Sequence, residues 1–490
     1  MTISLMALTL VALSSAGLAA QTGLALRPDT AQYHLTASKT DMRNLAVRAT
    51  FTTRDSILLM VPGGMEHLPD GWRTFVHNEQ LRDEQGRTVP LVRIDNRRWR
   101  VPTPPGTRVE LSYTVRIDHD RPPTNWFPGP REAAYVRDWG IFALGRALFV
   151  VPSLELPAAI VRFSLPPEWR VAAALTSVNG SAATFRASTR RDLTDALFFV
   201  GDYLSLAVRQ GPLTFDYAVS PGFKASLPHF ERVTRTALTA FRDAFGVDPT
   251  KERYLVVVNP EYHRTDGFGG AFRSGFSMTF PFVPDEGNVG TWAFTLTHET
   301  FHLWNAFTIA RASSEEEWFL EGSADYYTAL TLARSGVASR AITLAQMGQA
   351  FAVYKRGAGR VSLAKAGAAE SRNGDLLYKG GWAVLAALDL EIRHVSNSQR
   401  SLDDVLRALV RDSITQASGY RNADILRAVN ALTGGRYDDF FARYVIGSET
   451  LDLAPYLSRV GLSLSGSSLT QASDATSAQQ AQLKSWIGPR

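Results

Sequence analysis

The apolar residues of this 490-residue chain change their spacing once, near Pro221, and that change limits the folds open to it more than any other feature. From Tyr33 to about Tyr217, short runs such as LAVRATF, RVELSYTVRI and IVRFSL alternate apolar with polar residues, between turns rich in Gly, Pro, Asn and Asp. A period of two puts every second side chain on one face of a sheet, so this stretch predicts antiparallel strands with one face buried. From Pro228, Phe230, Val233, Ala237, Leu238 and Phe241 recur at helical spacing, and after one buried strand, RYLVVVN at 253–259, the sequence stays mainly helical. Helices are expected at about 228–246, 291–306, 315–335, 340–354, 376–394, 402–413, 420–432 and 436–446. The fold class is therefore α+β: an antiparallel β-rich domain over 21–220, a mainly helical domain over 221–451 and an extension over 452–490. Within that extension, 463–482 is polar and poor in aromatics, the composition of a flexible tail.

Residues 1–20 stand apart. An apolar stretch from Ile3 to Leu13 precedes small residues ending at Ala19 and Ala20, which reads as a secretory signal cleaved near Gln21, although no Lys or Arg precedes Arg27. No later apolar run is long enough for a membrane span, because the best candidate, 141–160, contains Arg146, Pro152 and Pro157. The expected product is exported, periplasmic or secreted, without stable membrane insertion. The net charge of +5 is too small for this length to argue for a nucleic-acid partner. Arg93, Arg97, Arg98 and Arg100 read as a solvated edge strand rather than a binding patch. There is no Walker phosphate loop, no G-x-S-x-G elbow and no dinucleotide fingerprint.

The absence of cysteine removes disulfides, thiolate metal sites, iron–sulfur clusters and cysteine nucleophiles, leaving His, Asp and Glu as the strong metal ligands. Only nine histidines remain to search, and two of them form His298-Glu299-Thr300-Phe301-His302, an H-E-x-x-H sequence within a segment of helical periodicity. On a helix, residues four apart share a face, so both imidazoles can reach one metal ion, while Glu299, about 100 degrees round from His298, can stand over the attacking water. A carboxylate third ligand would leave one position open, and Glu321 is the candidate, set among Trp318, Phe319 and Leu320 where an uncompensated charge would be costly. Ser313 and Ser314 each have a Glu three residues on, so Glu315, Glu316 and Glu317 read as helix-start residues. Asp325, one turn beyond Glu321, is a candidate acceptor for a ligand histidine or, equally, a member of a salt bridge or structural hydrogen bond.

H-E-x-x-H followed by Glu321 resembles the gluzincin metallopeptidase pattern, and HETFHLWN resembles the glycyl aminopeptidase family in particular. The likeness continues through Trp318, Phe319, Glu321, Gly322, Tyr326 and Tyr327, through Leu377-Tyr378-Lys379-Gly380, and in the first half from TAQYHLT to DALFFVGDY, spanning roughly residues 30–450. The resemblance implies a thermolysin-like catalytic domain, a Zn2+ ion on His298, His302 and Glu321, Glu299 as general base, Tyr378 as oxyanion stabiliser and a peptide or protein substrate. Zinc would polarise the scissile carbonyl and acidify its water, and Glu299 would carry the proton to the leaving amine. Apart from the resemblance, Tyr378 reads as a buried aromatic on an apolar helix with Trp382, Leu385, Leu388 and Ile392.

In these relatives a Gly-Gly-x-Glu-His segment ahead of the zinc helix offers an acidic residue to the substrate's α-amino group. Here that substrate-binding slot reads Gly269-Gly270-Ala271-Phe272-Arg273. A phenyl ring cannot pair with an ammonium and Arg273 would repel it, so N-terminal trimming is in doubt and endopeptidase action, or acceptance of blocked ends, becomes plausible. The words GGMEH do occur at 63–67, within the first β domain, and read as a turn. Many of these relatives add a PDZ-like domain after the helices; the roughly 40 residues after Leu451 are too few to form one, so none is expected within them. The sequence thus points to a zinc-dependent peptidase; the rival reading is an exported peptide-binding protein that keeps the metal site with little turnover.

Overall fold

A computed structural model describes residues 30–61, 68–119, 134–154, 156, 158–262, 265, 267–415 and 418–488. The leader at 1–20 and the GGMEH segment lie outside these. The period-two stretches form an eight-stranded sheet in the order Thr176–Ser177, Thr184–Ala187, Ala159–Ser164, Ala31–Thr36, Asn44–Thr52, Arg108–Arg116, Val76–Asp83, Thr88–Val89. Its alternation is strict where expected: Leu45, Val47, Ala49 and Phe51 are buried on one strand and Val109, Leu111, Tyr113 and Val115 on its antiparallel neighbour. The sheet is mixed rather than purely antiparallel, because Ala31–Thr36 runs parallel to Ala159–Ser164. Two four-stranded sheets complete this half. Of the arginine run, Arg93 lies on an edge strand as expected, whereas Arg98 and Arg100 flank the buried Trp99 on an inner strand of the same sheet; all three are exposed, with Arg93 and Arg98 paired to Asp70 and Asp95.

The second half is built on a five-stranded sheet ordered Leu204–Gln210, Leu213–Val219, Arg253–Pro260, Gly275–Phe280, Phe268–Phe272. Helix Leu227–Phe245 is the crossover between Leu213–Val219 and its parallel partner Arg253–Pro260. Two strands of this sheet precede the expected boundary at 220/221, so the architectural break falls near residue 203 instead. A strand pattern does not announce which sheet it joins, and the change of period marks the first helix, not the first strand, of the second half. Tyr135, Phe142, Leu144, Leu197 and Phe199 meet Ala218, Leu255, Val257 and Phe272 in an apolar core between the halves.

Three helices of this half carry or brace the H-E-x-x-H motif and Glu321. The histidine helix, Val289–Asn305, is entered through a capping box closed by Asp285 and Asn288, and its Phe301 and Trp304 pack on Phe241 and Phe245. The glutamate helix, Glu317–Arg334, comes after a turn in which Ser313 and Glu316 form the capping box, one of the two pairings the sequence offered. A third helix, Gly381–Val395, is preceded by a π-helical turn over Leu376–Gly380. It crosses the glutamate helix in backbone contact: a Cβ on Gly381 would lie 2.2 Å from the Trp318 carbonyl oxygen, and one on Gly322 would lie 2.5 Å from Gly381. Only glycine permits that approach.

The expected flexible tail is ordered. Leu462–Ser465 and Ser468–Gln471 form a hairpin, and Ser477–Ile487 is a helix whose Leu483, Trp486 and Ile487 are fully buried. Its Trp486 Nε1 donates to the hydroxyl of Tyr326 on the glutamate helix at 2.8 Å. The polar window ended before these three apolar residues, and they are what anchor it. Among the described residues no helix is long and apolar enough to cross a membrane.

Candidate metal centre and active site

The histidine helix puts His298 and His302 on one face, and the glutamate helix, packed alongside, adds Glu321. The two Nε2 atoms are 3.0 Å apart, and Glu321 Oε2 is 3.3 Å from one and 3.4 Å from the other. All three residues are buried. Tetrahedral zinc with ligand bonds near 2.1 Å sets its ligand atoms about 3.4 Å apart, close to the 3.0 to 3.4 Å found here.

The far side of each imidazole decides which nitrogen faces that point. His298 Nδ1 donates to Asp325 Oδ1 at 3.0 Å, and a carboxylate can only accept. His302 Nδ1 lies 3.0 Å from Asn305 Oδ1, while Asn305 Nδ2 donates to the Leu320 carbonyl and Ser323 Oγ, which orients its oxygen toward the ring. In their neutral, metal-binding form both imidazoles would therefore carry their proton on Nδ1 and direct an Nε2 lone pair inward. Two lone pairs and a carboxylate oxygen converging at this distance repel unless a cation lies among them, so the donor set fits a zinc ion.

The electrostatics agree. Burial works against charge on His298, but hydrogen bonds to Asp325 and Glu321, aided by Glu299, outweigh it and raise its pKa to about 10. Burial likewise opposes ionisation of Asp325, yet Lys379, 2.6 Å from Oδ2, and His298 hold it below the usual carboxylate range. A buried place that retains a proton so strongly is one that favours positive charge.

A cavity of about 280 Å³ opens beside the cluster, lined by His298, Glu299, His302, Glu317, Glu321 and Tyr378 among others. Glu299 is buried and lies under the edge strand Phe268–Phe272, where a Cβ on Gly269 would come within 2.6 Å of its Oε1. Tyr378, on the π-helical turn, is half-buried with its ring stacked on His298, centroids 5.8 Å apart at 16°. The structure thus brings together His298, Glu299, His302, Glu321, Asp325 and Tyr378.

Part of the expected substrate-binding slot borders the cavity. On the edge strand Gly269 abuts the histidine helix, so strand alternation turns Gly270 and Phe272 the other way. Gly270 and Phe272 border the cavity, and the Phe272 ring also packs in the core between the halves. Arg273 does not line the cavity, and its charge acts on Tyr254.

Several residues were given no role, or another one, by the sequence. Asn305 and Lys379 were visible within HLWN and LYKG but named no partner. Glu317, expected to serve the helix start, is buried, pairs with Arg311 and lines the cavity with Glu370. Its four-residue spacing before Glu321, one helical turn, was the available signal.

Residues 32–202 match the M61 peptidase N-terminal domain, and residues 292–379 match the M61 glycyl aminopeptidase domain. No curated protein matches the chain in sequence. The fold is similar to that of an aminopeptidase N family protein from Idiomarina loihiensis, with a TM-score of 0.76 at 19% identity over 88% of this chain and 78% of that one. An M1 zinc metallopeptidase from Deinococcus radiodurans superposes with a TM-score of 0.55 at 19% identity, over 86% and 94% of the two chains. A mutant of the Deinococcus enzyme bound to a Tyr-Ser-Ala substrate gives a TM-score of 0.55 at 18% identity, over 86% and 94%.

Proposed function

Since this chain belongs to the M61 glycyl aminopeptidase family of gluzincin zinc metallopeptidases, we propose that it hydrolyses peptides from a free amino end. That it is a zinc-dependent peptidase is carried by one observation above the rest: two imidazoles and a carboxylate converge within 3.4 Å with both Nδ1 atoms held from behind. In this reading His298, His302 and Glu321 hold the ion, which supplies a Lewis acid for the scissile carbonyl.

The remaining chemistry belongs to side chains of this chain. Glu299, adjacent to a ligand histidine and facing the cavity, takes the proton of the attacking water and passes it to the departing amine. Tyr378 donates its phenolic hydrogen to the carbonyl oxygen as negative charge grows there. Asp325 and Asn305 keep both imidazoles in the tautomer that binds. For the amino end, the support is a cavity wall that carries Glu317 and Glu370 against one arginine, Arg311, which pairs with Glu317, while Arg273 does not line it. The Tyr-Ser-Ala complex of the Deinococcus mutant shows a tripeptide accommodated by a related fold.

The test pairs a variant with a substrate comparison. Glu299→Gln should retain stoichiometric zinc while kcat falls by about 10²–10⁴-fold on an unblocked peptide. The parent should cleave free-amino peptides in preference to their N-acetyl forms. Equal rates on the two would remove the amino-end reading, and a parent as inert as the variant on a broad peptide library would favour the peptide-binding alternative.

A further inference from the structure

Lys379 takes no part in the chemistry of Glu299 and Tyr378, yet it closes a ring of four side chains around the metal cluster. His298 Nδ1 donates to Asp325 Oδ1, and Lys379 donates to the other oxygen of the same carboxylate at 2.6 Å. Tyr378, its immediate neighbour, returns to His298 as a stacked ring. The imidazole is thus held at its edge by one residue of the π-helical turn, through Asp325, and on its face by the next. Residues adjacent in a regular α-helix diverge by about 100 degrees, whereas from this π-turn Tyr378 meets His298 directly and Lys379 meets its partner Asp325.

The seat of the ammonium is built on several sides. Its nitrogen lies 5.6 Å from the Trp382 ring centroid and 5.9 Å from that of Phe294, so it faces two aromatic rings and one carboxylate. Asp325 is 2% exposed, which separates this pair from a solvated surface bridge: removal of the lysine leaves a buried carboxylate with the Nδ1–H of His298 as its remaining partner. The Gly322–Gly381 backbone contact presses the same turn onto the glutamate helix and fixes the distance the lysine has to span.

We infer that Lys379 is a positioning residue that couples two parts of the active site: through Asp325 it sets the metal-binding tautomer of His298, and through the π-turn it sets the place of Tyr378. The inference rests on the peptidase reading for Tyr378 but not for the metal arm. It predicts that Lys379 acts on zinc affinity only by way of Asp325 and on turnover only by way of Tyr378.

Two double-mutant cycles test this on the full chain. Lys379→Met should weaken zinc binding about tenfold, measured by competition with a chromophoric chelator, and lower kcat about tenfold with KM nearly unchanged. In an Asp325→Asn background the same substitution should leave zinc affinity where Asp325→Asn alone put it. In a Tyr378→Phe background it should leave kcat unchanged once zinc is saturating. Lys379→Arg, which keeps a cation for Asp325, should hold zinc affinity within about threefold of the parent. Unchanged zinc affinity and kcat in a folded Lys379→Met protein would overturn the proposal, as would additive effects in both cycles or failure of the arginine to restore metal binding. A parent that binds zinc but cleaves nothing would sink the peptidase reading while the zinc cycle still stood or fell by itself.

Discussion

Two imidazoles, one in each half of the molecule, are buried to a similar degree, and in the absence of a bound ion their surroundings push their pKa values in opposite directions. His119 is fully buried in the first half; its Nδ1 accepts from the Ala134 N–H at 3.2 Å, its Nε2 donates to the Arg116 carbonyl at 2.9 Å, and its face stacks on Phe75 at 3.8 Å. One donor and one acceptor satisfy the neutral ring and leave no acceptor for a second proton. Burial therefore prevails and lowers its pKa to about 4. His298 has much the same burial and an aromatic neighbour too, but its partners are carboxylates, and its pKa rises to about 10. What a buried histidine does is decided by whether its partners are backbone dipoles or full charges. The first half uses such a ring as core; the second keeps a place for a cation.

The contrast can be broken most severely from the charged side. Glu321→Gln removes the anionic member of the triad but keeps its size, and should abolish stoichiometric zinc and cost at least about 10³-fold in kcat/KM, read by metal analysis and peptide assay together. Full activity in that variant would mean that the three-residue convergence is not the metal site.

The neutral imidazole offers an intermediate effect, visible as acid sensitivity. The unfolded chain protonates His119 below about 6.5, whereas the folded protein resists down to about 4. Its contribution is intact above the first value, erodes as pH falls between the two and is fully lost below the second, a total of about 3 kcal/mol. Urea midpoints followed by fluorescence of Trp72, whose ring lies 5.9 Å from His119, should record that loss. His119→Gln should flatten the slope between pH 6.5 and 4. An unchanged slope would assign the acid sensitivity elsewhere.

The smallest effect sharpens the comparison of the two aromatic walls. Phe75→Leu removes the ring stacked on His119 and should cost about 1–3 kcal/mol by the same urea measurement while leaving kcat and zinc content alone. A change in kcat would show the two halves to be coupled through the shared core rather than merely joined by it.

The sequence made the metal centre legible because its parts are local: His298, Glu299 and His302 occupy one turn, and Ser313 with Glu316 starts the helix that brings up Glu321. Helix positions followed from periodicity to within a few residues for the same reason. What stayed hidden depended on pairings between distant segments. Nothing in Leu204–Gln210 or Leu213–Val219 says that they join the catalytic sheet, and nothing in Phe268–Phe272 says which parity faces the histidine helix, so the direction of Phe272 could not be read. Lys379 was similarly opaque, since a π-turn leaves no spacing signature in a single sequence.

The hydrogen bond from Trp486 to Tyr326 carries a consequence in time. A chain is made from its amino end, so the whole metal-binding motif leaves the ribosome well before the helix that covers its neighbour does. Until Trp486 emerges, Tyr326, one residue beyond Asp325, lacks that indole donor. A hydrolytic centre braced by a residue 160 positions further along the chain matures only after that helix has been made, when the chain around it has had the chance to fold.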